Sequence, residues 1–456
     1  MNCNHAPECS SSTAPRPQAE APGLGGSEAR REGQLRIAYV STYPPRECGI
    51  ATFCEDLLTA TRRCEQAGPP LVVAMANGDG PWRYDWPVGL VVDDQDEQAY
   101  QEAARFLNDS SVDIVSLQHE FGIFGGERSR GIYRFLDALA KPLVVTLHTV
   151  VPTPSLAQRG MVRALGVAAE RVIVMNELAT EILAREYGVD RRKVVLIHHG
   201  APPPHPEGRE AAKLRLGLAG RKVLSTFGLV SPGKGIECAL EALPAIRARH
   251  PEVCYVVIGK THPAVQRRHQ EGYREELVRL VDRLGLRDAV RFVNSYQSKE
   301  GILRWLAASD VYLTPYHNPH QITSGTLAYA LAAGRAIVST PYLYARFLLA
   351  DGRGLLVDFR DPEAMAEAVN QVLDSPELQA RLEASAAAYG RQLLWPAVAR
   401  RFVEVCRRVV GRQRELATVD SQREVAWGLA IAGQRRDRDA GRGAETDLPG
   451  PSPAAH

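Results

Sequence analysis

The stretch VYLTPYHNPHQITSGTLAYALAAGRAIVS, residues 311–339, decides the fold. A short apolar run ends at Thr314, a polar loop follows, and Ser324 or the threonine before it is well suited to cap a helix that begins near Gly325. A second apolar run, Ala336–Ser339, comes soon after that helix. A strand, a helix and another strand in this order are typical of a parallel sheet with helices packed on its faces.

The same alternation runs along the chain on both sides of this stretch, beginning at Arg36. The proline-rich segment Pro202–Pro206 interrupts it and is interpreted as a linker. The strands predicted before the linker are Ile37–Val40, Leu71–Ala74, Leu90–Val92, Ile114–Leu117, Leu143–Leu147, Val172–Met175 and Val194–Ile197. Those predicted after it are Val223–Phe227, Tyr255–Ile258, Val290–Val293, Val311–Thr314, Ala336–Ser339 and Leu355–Val357. The pattern therefore predicts an α/β protein with two doubly wound, Rossmann-like domains that face each other across a cleft.

Length and charge narrow the class of protein. A chain of 456 residues, 45% of them hydrophobic, is long enough for two cores. Lys and Arg total 55 against 53 for Asp and Glu, so no overall field draws the chain to nucleic acid. No apolar stretch reaches the roughly 18 residues of a membrane span, and the N-terminus lacks the apolar core of a signal peptide. We expect a cytoplasmic protein, and a basic face with Arg159, Arg163 and Arg171 leaves peripheral membrane contact open.

Two glycine-bearing turns follow predicted strands, at the edge where open parallel sheets bind ligands. Gly49 lies in the first turn, and Gly228 and Lys234 lie in the second. Glycine lets the backbone approach a phosphate, a helix N-terminus offers free amides, and an ammonium group neutralises a leaving diphosphate. The amides of Gly325 and Thr326 are expected to form a further anion site. A turn that merely needs a glycine and a solvated lysine are the alternatives.

Three segments together resemble glycosyltransferase family 4, the group 1 transferases. They are Ser41-Thr42-Tyr43-Pro44-Pro45 with Gly49, the loop from Gly228 to Gly235, and the run from Ala330 to Thr340. They occur in the expected order within about residues 36–410. The resemblance implies a GT-B fold, transfer of a sugar from a nucleotide sugar to a hydroxyl acceptor with retention of configuration, and no metal or other cofactor.

The resemblance also implies a division of the chain. We predict a disordered tail over 1–33, an acceptor-side domain over 34–205, a donor-binding domain over 206–390, a C-terminal crossover helix over 391–410 and a mostly disordered tail over 411–456.

Site residues follow from the resemblance and from position. His148, which closes a predicted strand, looks like the family's cleft histidine near the reacting sugar, and a buried structural histidine is the alternative. Lys234 is implied as the diphosphate ligand. His119 and Glu120 end another strand and are candidate acceptor contacts on geometry alone, with an ordinary loop salt bridge as the alternative.

The chain departs from the family pattern at three positions. The resemblance implies two glutamates separated by seven residues, the first touching the donor sugar and the second the ribose hydroxyls, and Gln321 and Tyr329 occupy their places here. Gln321 is able to hydrogen-bond a sugar hydroxyl but carries no charge to stabilise an oxocarbenium ion. Leu229 stands where an arginine is usual, which removes a bidentate phosphate contact. The predicted catalytic residues are His148, Lys234 and Gln321, and the predicted donor contacts are Gly49, Gly228, Lys234, Gln321, Ser324, Gly325, Thr326 and Tyr329.

Two patterns typical of metal sites have simpler explanations. Cys3, His5 and Cys9 crowd an unpatterned N-terminal tail, where chance accounts for them. Asp94-Gln95-Asp96 has the spacing of the Asp-x-Asp motif of metal-dependent transferases, but it lies where a strand leads into a helix and is interpreted as an N-cap. The eight cysteines lack paired spacings and are expected to be reduced. We expect no metal.

The sequence thus predicts front-face retaining transfer in which the departing phosphate takes the acceptor proton, so that no carboxylate base is needed. The same loops would support a sugar phosphorylase, in which inorganic phosphate occupies the leaving-group site. Loss of both glutamates favours a non-catalytic sugar- or nucleotide-binding protein, and a nucleotide-sugar epimerase is a weaker alternative.

Overall fold

The computed structural model describes residues 31–77, 82–126, 130–262, 265–266, 271–416 and 418. Within them the strands form two parallel sheets, one of seven strands in the order β3-β2-β1-β4-β5-β6-β7 and one of six in the order β10-β9-β8-β11-β12-β13. The strands of the first sheet are β1 Ile37–Ser41, β2 Leu71–Ala76, β3 Val88–Asp93, β4 Ile114–His119, β5 Leu143–Leu147, β6 Arg171–Val174 and β7 Val194–Leu196. Those of the second are β8 Lys222–Phe227, β9 Val253–Ile258, β10 Val290–Val293, β11 Val311–Thr314, β12 Ala336–Ser339 and β13 Leu355–Leu356.

These two sheets confirm the predicted fold class, and each predicted strand overlaps an observed one. The prediction succeeds because helices cover both faces of a parallel sheet, so its central strands are mostly apolar. In Val253–Ile258, for example, every residue is buried.

Helices connect the strands and cover the sheets. In the first domain they are α1 Gly49–Thr61, α2 Glu97–Asp109, α3 Gly131–Ala138, α4 Leu156–Ala168 and α5 Leu178–Ile182. In the second they are α6 Arg209–Arg215, α7 Ile236–Arg249, α8 Gly272–Arg283, α9 Lys299–Ala308, α10 Gly325–Ala332, α11 Leu343–Leu348, α12 Pro362–Asp374 and α13 Pro376–Gly390. A last helix, α14, covers 395–416. Side chains cap several of them as expected, and Ser324 caps α10 by accepting a hydrogen bond from the amide of Leu327.

Helix α14 crosses back to the first domain. The ring of Phe402 stacks on Tyr39 of β1 at a centroid distance of 6.2 Å. Near the end of the helix, Arg414 forms an ion pair of 3.1 Å with Asp113. The helix continues past the predicted end at residue 410, because residues beyond that point still find partners on the first domain. Of the predicted tails over 1–33 and 411–456, residues 1–30 (with Cys3, His5 and Cys9), 417 and 419–456 lie outside the described residues.

Two predictions about surface residues, an N-cap at Asp96 and a basic face of three arginines, have different outcomes. Asp96 is the N-cap of α2, with Oδ1 accepting from the amide of Gln98 at 3.0 Å, as the N-cap interpretation of this acidic run predicts. Arg171 does not share a helical face with Arg159 and Arg163, because it is the first residue of β6 and its guanidinium donates to the carbonyl of Glu170. The predicted basic face is therefore smaller by one arginine.

None of the helices within the described residues combines the length and apolarity needed to span a bilayer.

Candidate active site

A cleft of about 950 Å³ lies between the two domains. Its walls are the loops that follow the carboxyl ends of strands in both sheets, as expected for open parallel sheets. Of the predicted site residues, those that line the cleft are Gly49, Glu120, His148, Gly228, Lys234, Gln321, Gly325, Thr326 and Tyr329. The chain therefore brings residues from distant segments to one cavity.

The loop after β8 is built on glycines with backbone angles that other residues rarely adopt. Gly228 has φ 130° and Gly235 has φ 62°. A Cβ atom on Gly235 would lie 1.9 Å from the carbonyl oxygen of Pro315, so the loop packs directly on the segment that follows β11. This close contact fixes the position of Lys234, which precedes Gly235, relative to that segment.

Lys234 is held by a tyrosine. Its Nζ atom donates a hydrogen bond of 2.7 Å to the hydroxyl of Tyr316 and lies 4.0 Å from the centroid of the same ring. The tyrosine hydroxyl is 2.6 Å from Oγ1 of Thr326 in the first turn of α10. Tyr316 was not among the predicted site residues, although its position just past the end of a strand is where such residues are sought.

Lys234 differs from the other lysines of the cleft in its partners. Those lysines pair with carboxylates, Lys260 with Glu47 and Lys299 with Glu55 and Asp56. No carboxylate within the described residues pairs with Lys234. Its ammonium group is therefore available to an anion.

The N-terminus of α10 adjoins this lysine. Its first amides, those of Gly325 and Thr326, lack acceptors within the helix by construction. A Cβ atom on Gly228 would lie 3.2 Å from Cγ2 of Thr326 and 3.8 Å from Nζ of Lys234, so the lysine loop and the helix N-terminus are in contact. Ser324 does not line the cleft, because its hydroxyl is used to cap the helix.

His148 lies on the first-domain wall. Its Nε2 atom is 3.0 Å from Oε1 of Gln118, which only accepts, so Nε2 carries the proton and Nδ1 is an acceptor. Its ring meets that of Phe53 edge to face at 4.7 Å. Burial, with smaller effects from neighbouring histidines, lowers the pKa of His148 to about 3, so the imidazole is neutral at pH 7.

A second histidine, His199, was not predicted from the sequence. It follows β7 and lines the cleft beside the start of α10, where a Cβ atom on Gly325 would lie 2.9 Å from its Nε2 atom. Its Nδ1 atom is 2.8 Å from the carbonyl oxygen of Gly200, and burial lowers its pKa to about 4. The signal in the sequence that could have identified His199 is its position after the end of β7.

The two candidate acceptor contacts point in different directions. Glu120 lines the cleft, and its carboxylate accepts hydrogen bonds from Thr149 Oγ1 at 2.5 Å and from the amide of Phe121 at 3.0 Å. Burial raises the pKa of this carboxyl group. His119 is fully buried with Nε2 3.2 Å from the sulfur of Met161, so the prediction that it contacts an acceptor is wrong. Adjacent residues at a strand end point to opposite sides, and only one of them reaches the cleft.

Gln321 and Tyr329, at the two positions where the resemblance implies glutamates, make different contacts. Gln321 lines the cleft and its amide donates to the carbonyl of Thr323 at 3.1 Å, so the side chain folds against its own loop. Tyr329 donates a hydrogen bond of 3.2 Å to Asp56 Oδ2 on α1, and Lys299 contacts the other oxygen of this carboxylate. Burial raises the pKa of Asp56 despite that lysine. Tyr329 therefore joins the two domains.

The described residues offer no obvious metal site. Within them no group of three or more His, Cys, Asp or Glu side chains is arranged to hold a metal ion. The carboxylate of Asp94 accepts from the side chain of Gln95 at 2.6 Å, which accounts for one of the two acids in the Asp-x-Asp spacing.

Comparison with known proteins now adds to the geometry. Residues 59–203 match the family described as Glycosyltransferase Family 4, and residues 221–375 match the family described as Glycosyl transferases group 1. The first match lies in the first domain and includes Glu120 and His148, and the second lies in the second domain and includes the site residues from Gly228 to Tyr329, whereas Gly49 precedes both. The chain belongs to the group 1 glycosyltransferases of family 4.

Among curated relatives, a D-inositol 3-phosphate glycosyltransferase of Nocardioides sp. is 29% identical over 305 residues, which are 61% of this chain and 65% of the relative. The enzyme of the same name from Streptomyces avermitilis is 30% identical over 287 residues, 58% of this chain and 60% of the relative. The chain thus spans about three fifths of the length of the curated relatives it matches.

Solved structures agree on the fold. HepE from Anabaena, solved in complex with UDP, is 19% identical with a TM-score of 0.65, and the match covers 82% of this chain and 99% of HepE. Sucrose-phosphate synthase from Thermosynechococcus elongatus is 17% identical with a TM-score of 0.65, covering 83% of this chain and all of that one. At such identities the likeness concerns the fold, which is GT-B.

Proposed function

We propose that this protein is a glycosyltransferase that moves a sugar from a nucleotide-diphosphate donor to a hydroxyl acceptor, with retention of configuration and without a metal ion. The observation that carries the proposal is the ammonium group of Lys234, which has no carboxylate partner among the described residues and adjoins the N-terminus of α10 in the cleft. A cation and free helix amides together suit a diphosphate leaving group. Family membership supports the reaction class, and HepE has also been solved with UDP-glucose.

The proposed reaction is a displacement on one face of the donor sugar. The bond between the anomeric carbon and the diphosphate oxygen breaks while the acceptor oxygen attacks the same carbon. Lys234 and the amides of Gly325 and Thr326 stabilise the negative charge that develops on the leaving diphosphate. The acceptor proton passes to the departing phosphate oxygen. No side chain of the cleft has to serve as the base.

Three further residues, His148, Gln321 and Glu120, have proposed roles in holding the donor sugar and the acceptor. Neutral His148 has an acceptor nitrogen for a donor-sugar hydroxyl, and Gln321 offers its amide to another. Glu120, with Thr149, lies on the first-domain side and is proposed to bind the acceptor. A carbohydrate or another polyol fits this site, and the name of the curated relatives puts phosphorylated inositol among the acceptors to be tried.

Ligand-dependent thermal stability is the first test. The protein is melted with uridine, guanosine and adenosine diphosphates in turn, because a ligand at a hundred times its Kd adds about 2.7 kcal/mol to stability. We expect one nucleotide to stabilise the wild type and a Lys234→Ala variant to lose that effect. Lys222→Ala, at the opposite end of β8, is the matched control and should respond as the wild type does. A protein that no nucleotide stabilises would contradict the proposed donor class.

Turnover then tests the finer points. The matching nucleotide sugar should be consumed only when an acceptor is present, and the new anomeric linkage, read by NMR coupling, should have the donor's configuration. A chelator should leave the rate unchanged. Inversion at the anomeric carbon, or loss of activity on chelation, would refute the corresponding part of the proposal.

One observation favours a second candidate, a sugar phosphorylase. The hydroxyl of Tyr329 is bonded to Asp56, although the family carries at this position a glutamate that binds the ribose of the nucleotide. A ligand without a nucleoside would not need that contact. Stabilisation by inorganic phosphate and not by nucleotides, together with phosphate-dependent cleavage of an oligosaccharide, would identify this activity.

A further inference from the structure

Tyr316 occupies a position that the proposed reaction does not use. It lies just past the end of β11 and its side chain is fully buried. Its hydroxyl oxygen accepts a hydrogen bond from Nζ of Lys234 at 2.7 Å, so its proton is free to be donated to Thr326 Oγ1 at 2.6 Å. One phenol thereby links the loop after β8 to the first turn of α10.

The ring of Tyr316 is itself fixed on several sides. It stacks on the ring of Tyr342 at 5.1 Å with an interplanar angle of 16°. Its carbonyl oxygen accepts a hydrogen bond of 2.6 Å from Thr340 Oγ1. Burial alone would raise the pKa of the Tyr316 hydroxyl, but the ammonium of Lys234 and the hydrogen bonds around it bring that pKa below its usual value. The hydroxyl and the ammonium are thus electrostatically matched.

A lysine in an open cleft needs such an anchor. The ammonium group sits on a flexible four-carbon stem and loses rotamer entropy when a ligand fixes it. Leu229, in the same loop, provides no second cation. With one of its three N–H bonds given to Tyr316, Lys234 keeps the others for a ligand, and its stem is already ordered before binding.

We propose that Tyr316 is a positioning residue that holds the ammonium group of Lys234 beside the N-terminus of α10, so that one phosphate-bearing ligand contacts both. The inference rests on the proposed function only in requiring that the ligand carries phosphate. A nucleoside diphosphate and a free phosphate or diphosphate share this chemistry, and the experiment separates them.

Calorimetric titration of the protein with UDP, pyrophosphate and uridine provides the test. The variants are Tyr316→Phe, Lys234→Ala and the double variant. Tyr316→Phe keeps the ring under the ammonium and removes only the hydroxyl. Tyr342→Phe is the matched control, since its hydroxyl lies 3.4 Å from Thr314 and makes no contact with Lys234. Melting curves show whether each variant is folded.

We expect Tyr316→Phe to weaken binding of UDP or pyrophosphate about tenfold, the size of a lost charge-assisted hydrogen bond, and to leave uridine binding unchanged. In the Lys234→Ala background the same substitution should have no further effect, because Tyr316 acts through the lysine. A purely structural role would not depend on the lysine and would give additive losses. Tyr342→Phe should bind each probe as the wild type does.

Other results would overturn the inference. One is an unchanged affinity of Tyr316→Phe for the phosphate-bearing probe, and another is additive losses in the double variant. A third is a wild type that binds neither UDP nor pyrophosphate. Binding of pyrophosphate but not of UDP would refute a uridine donor, and the effect of Tyr316→Phe on pyrophosphate binding would then decide the role of Tyr316.

Discussion

The hydroxyl of Tyr329 donates a hydrogen bond of 3.2 Å to Asp56 Oδ2, although the two residues are 273 positions apart in the chain. The tyrosine belongs to α10 of the second domain and the aspartate to α1 of the first. Both side chains are buried. A residue that replaces a ligand-binding glutamate of the family thus forms part of the contact between the domains.

Substitution of Tyr329 should show what this contact contributes. Tyr329→Phe removes one hydrogen bond to a charged group and should lower the free energy of unfolding by about 1.5 to 3 kcal/mol. Tyr329→Glu, which restores the family residue, places a second carboxylate against Asp56 and should destabilise the protein more. Urea unfolding measures both. Asp56→Asn should relieve the Glu variant, and equal stability of the Phe and Glu variants would contradict the argument.

Two lysines at the domain contact are expected to contribute different amounts to the stability of the fold. Lys299→Met leaves the Asp56 carboxylate, whose side chain is only 9% exposed, without its cation and should cost about 2 kcal/mol. Lys260→Met breaks a pair with Glu47 in which both side chains are more than 40% exposed, and should cost under about 1 kcal/mol. Thermal melts of the two variants in the same buffer provide the comparison. Equal losses would show that burial of the carboxylate is not the deciding factor.

The two glycines that flank Lys234 are expected to differ in their tolerance of a side chain. Gly235→Ala places a methyl group against the carbonyl of Pro315 at a residue with φ 62°, so it should distort the loop and cost about 2 kcal/mol or more. The variant should also lose the stabilisation by the nucleotide that stabilises the wild type. Gly233→Ala meets nothing within 4 Å and should be tolerated. Thermal melts with and without that nucleotide distinguish the two, and a Gly235→Ala protein indistinguishable from Gly233→Ala would refute the loop packing.

Stability should fall as the solution is acidified from about pH 6.5. Burial lowers the pKa of His119 and His148 to about 3 and that of His199 to about 4, whereas the unfolded chain protonates them near pH 6.5. Below that pH the unfolded state binds protons that the folded state refuses. Each histidine then lowers the free energy of unfolding by about 1.4 kcal/mol per pH unit until its folded pKa is reached.

Urea unfolding between pH 7 and pH 5 checks this slope. His119→Leu, which lies away from the cleft, should reduce it by the contribution of one histidine. An unchanged slope in this variant would mean that the folded state does not lower the pKa of His119.

The sequence predicted the strands well because its signal is local. Each central strand is a short apolar run, and both its faces are covered in the folded protein. Ser324 as the cap of α10 was likewise readable from its neighbours. Gly228 and Lys234 could be identified from their turn after a predicted strand, and the family resemblance implied the role of Lys234 as a diphosphate ligand.

Orientation and long-range pairing were beyond that signal. His119 and Glu120 are neighbours at the end of β4, and sequence alone does not tell which of the two faces the cleft. Asp56 lies inside a helix with no pattern that would single it out, and its partner is in another domain. Tyr316 lies in the polar loop after β11, where several residues are equally able to reach the cleft, and only the structure shows that its hydroxyl is hydrogen-bonded to Lys234.

Helix α14 sets an order on biosynthesis. Trp395, at its start, packs so closely on Gly200 that a Cβ atom there would lie 2.2 Å from the indole ring, and Phe402 covers Tyr39 of the first strand. A ribosome delivers β1 to β7 long before it delivers this helix. Part of the apolar surface of the first domain therefore stays exposed during translation. Helix α14 covers it only after the second domain has been synthesised.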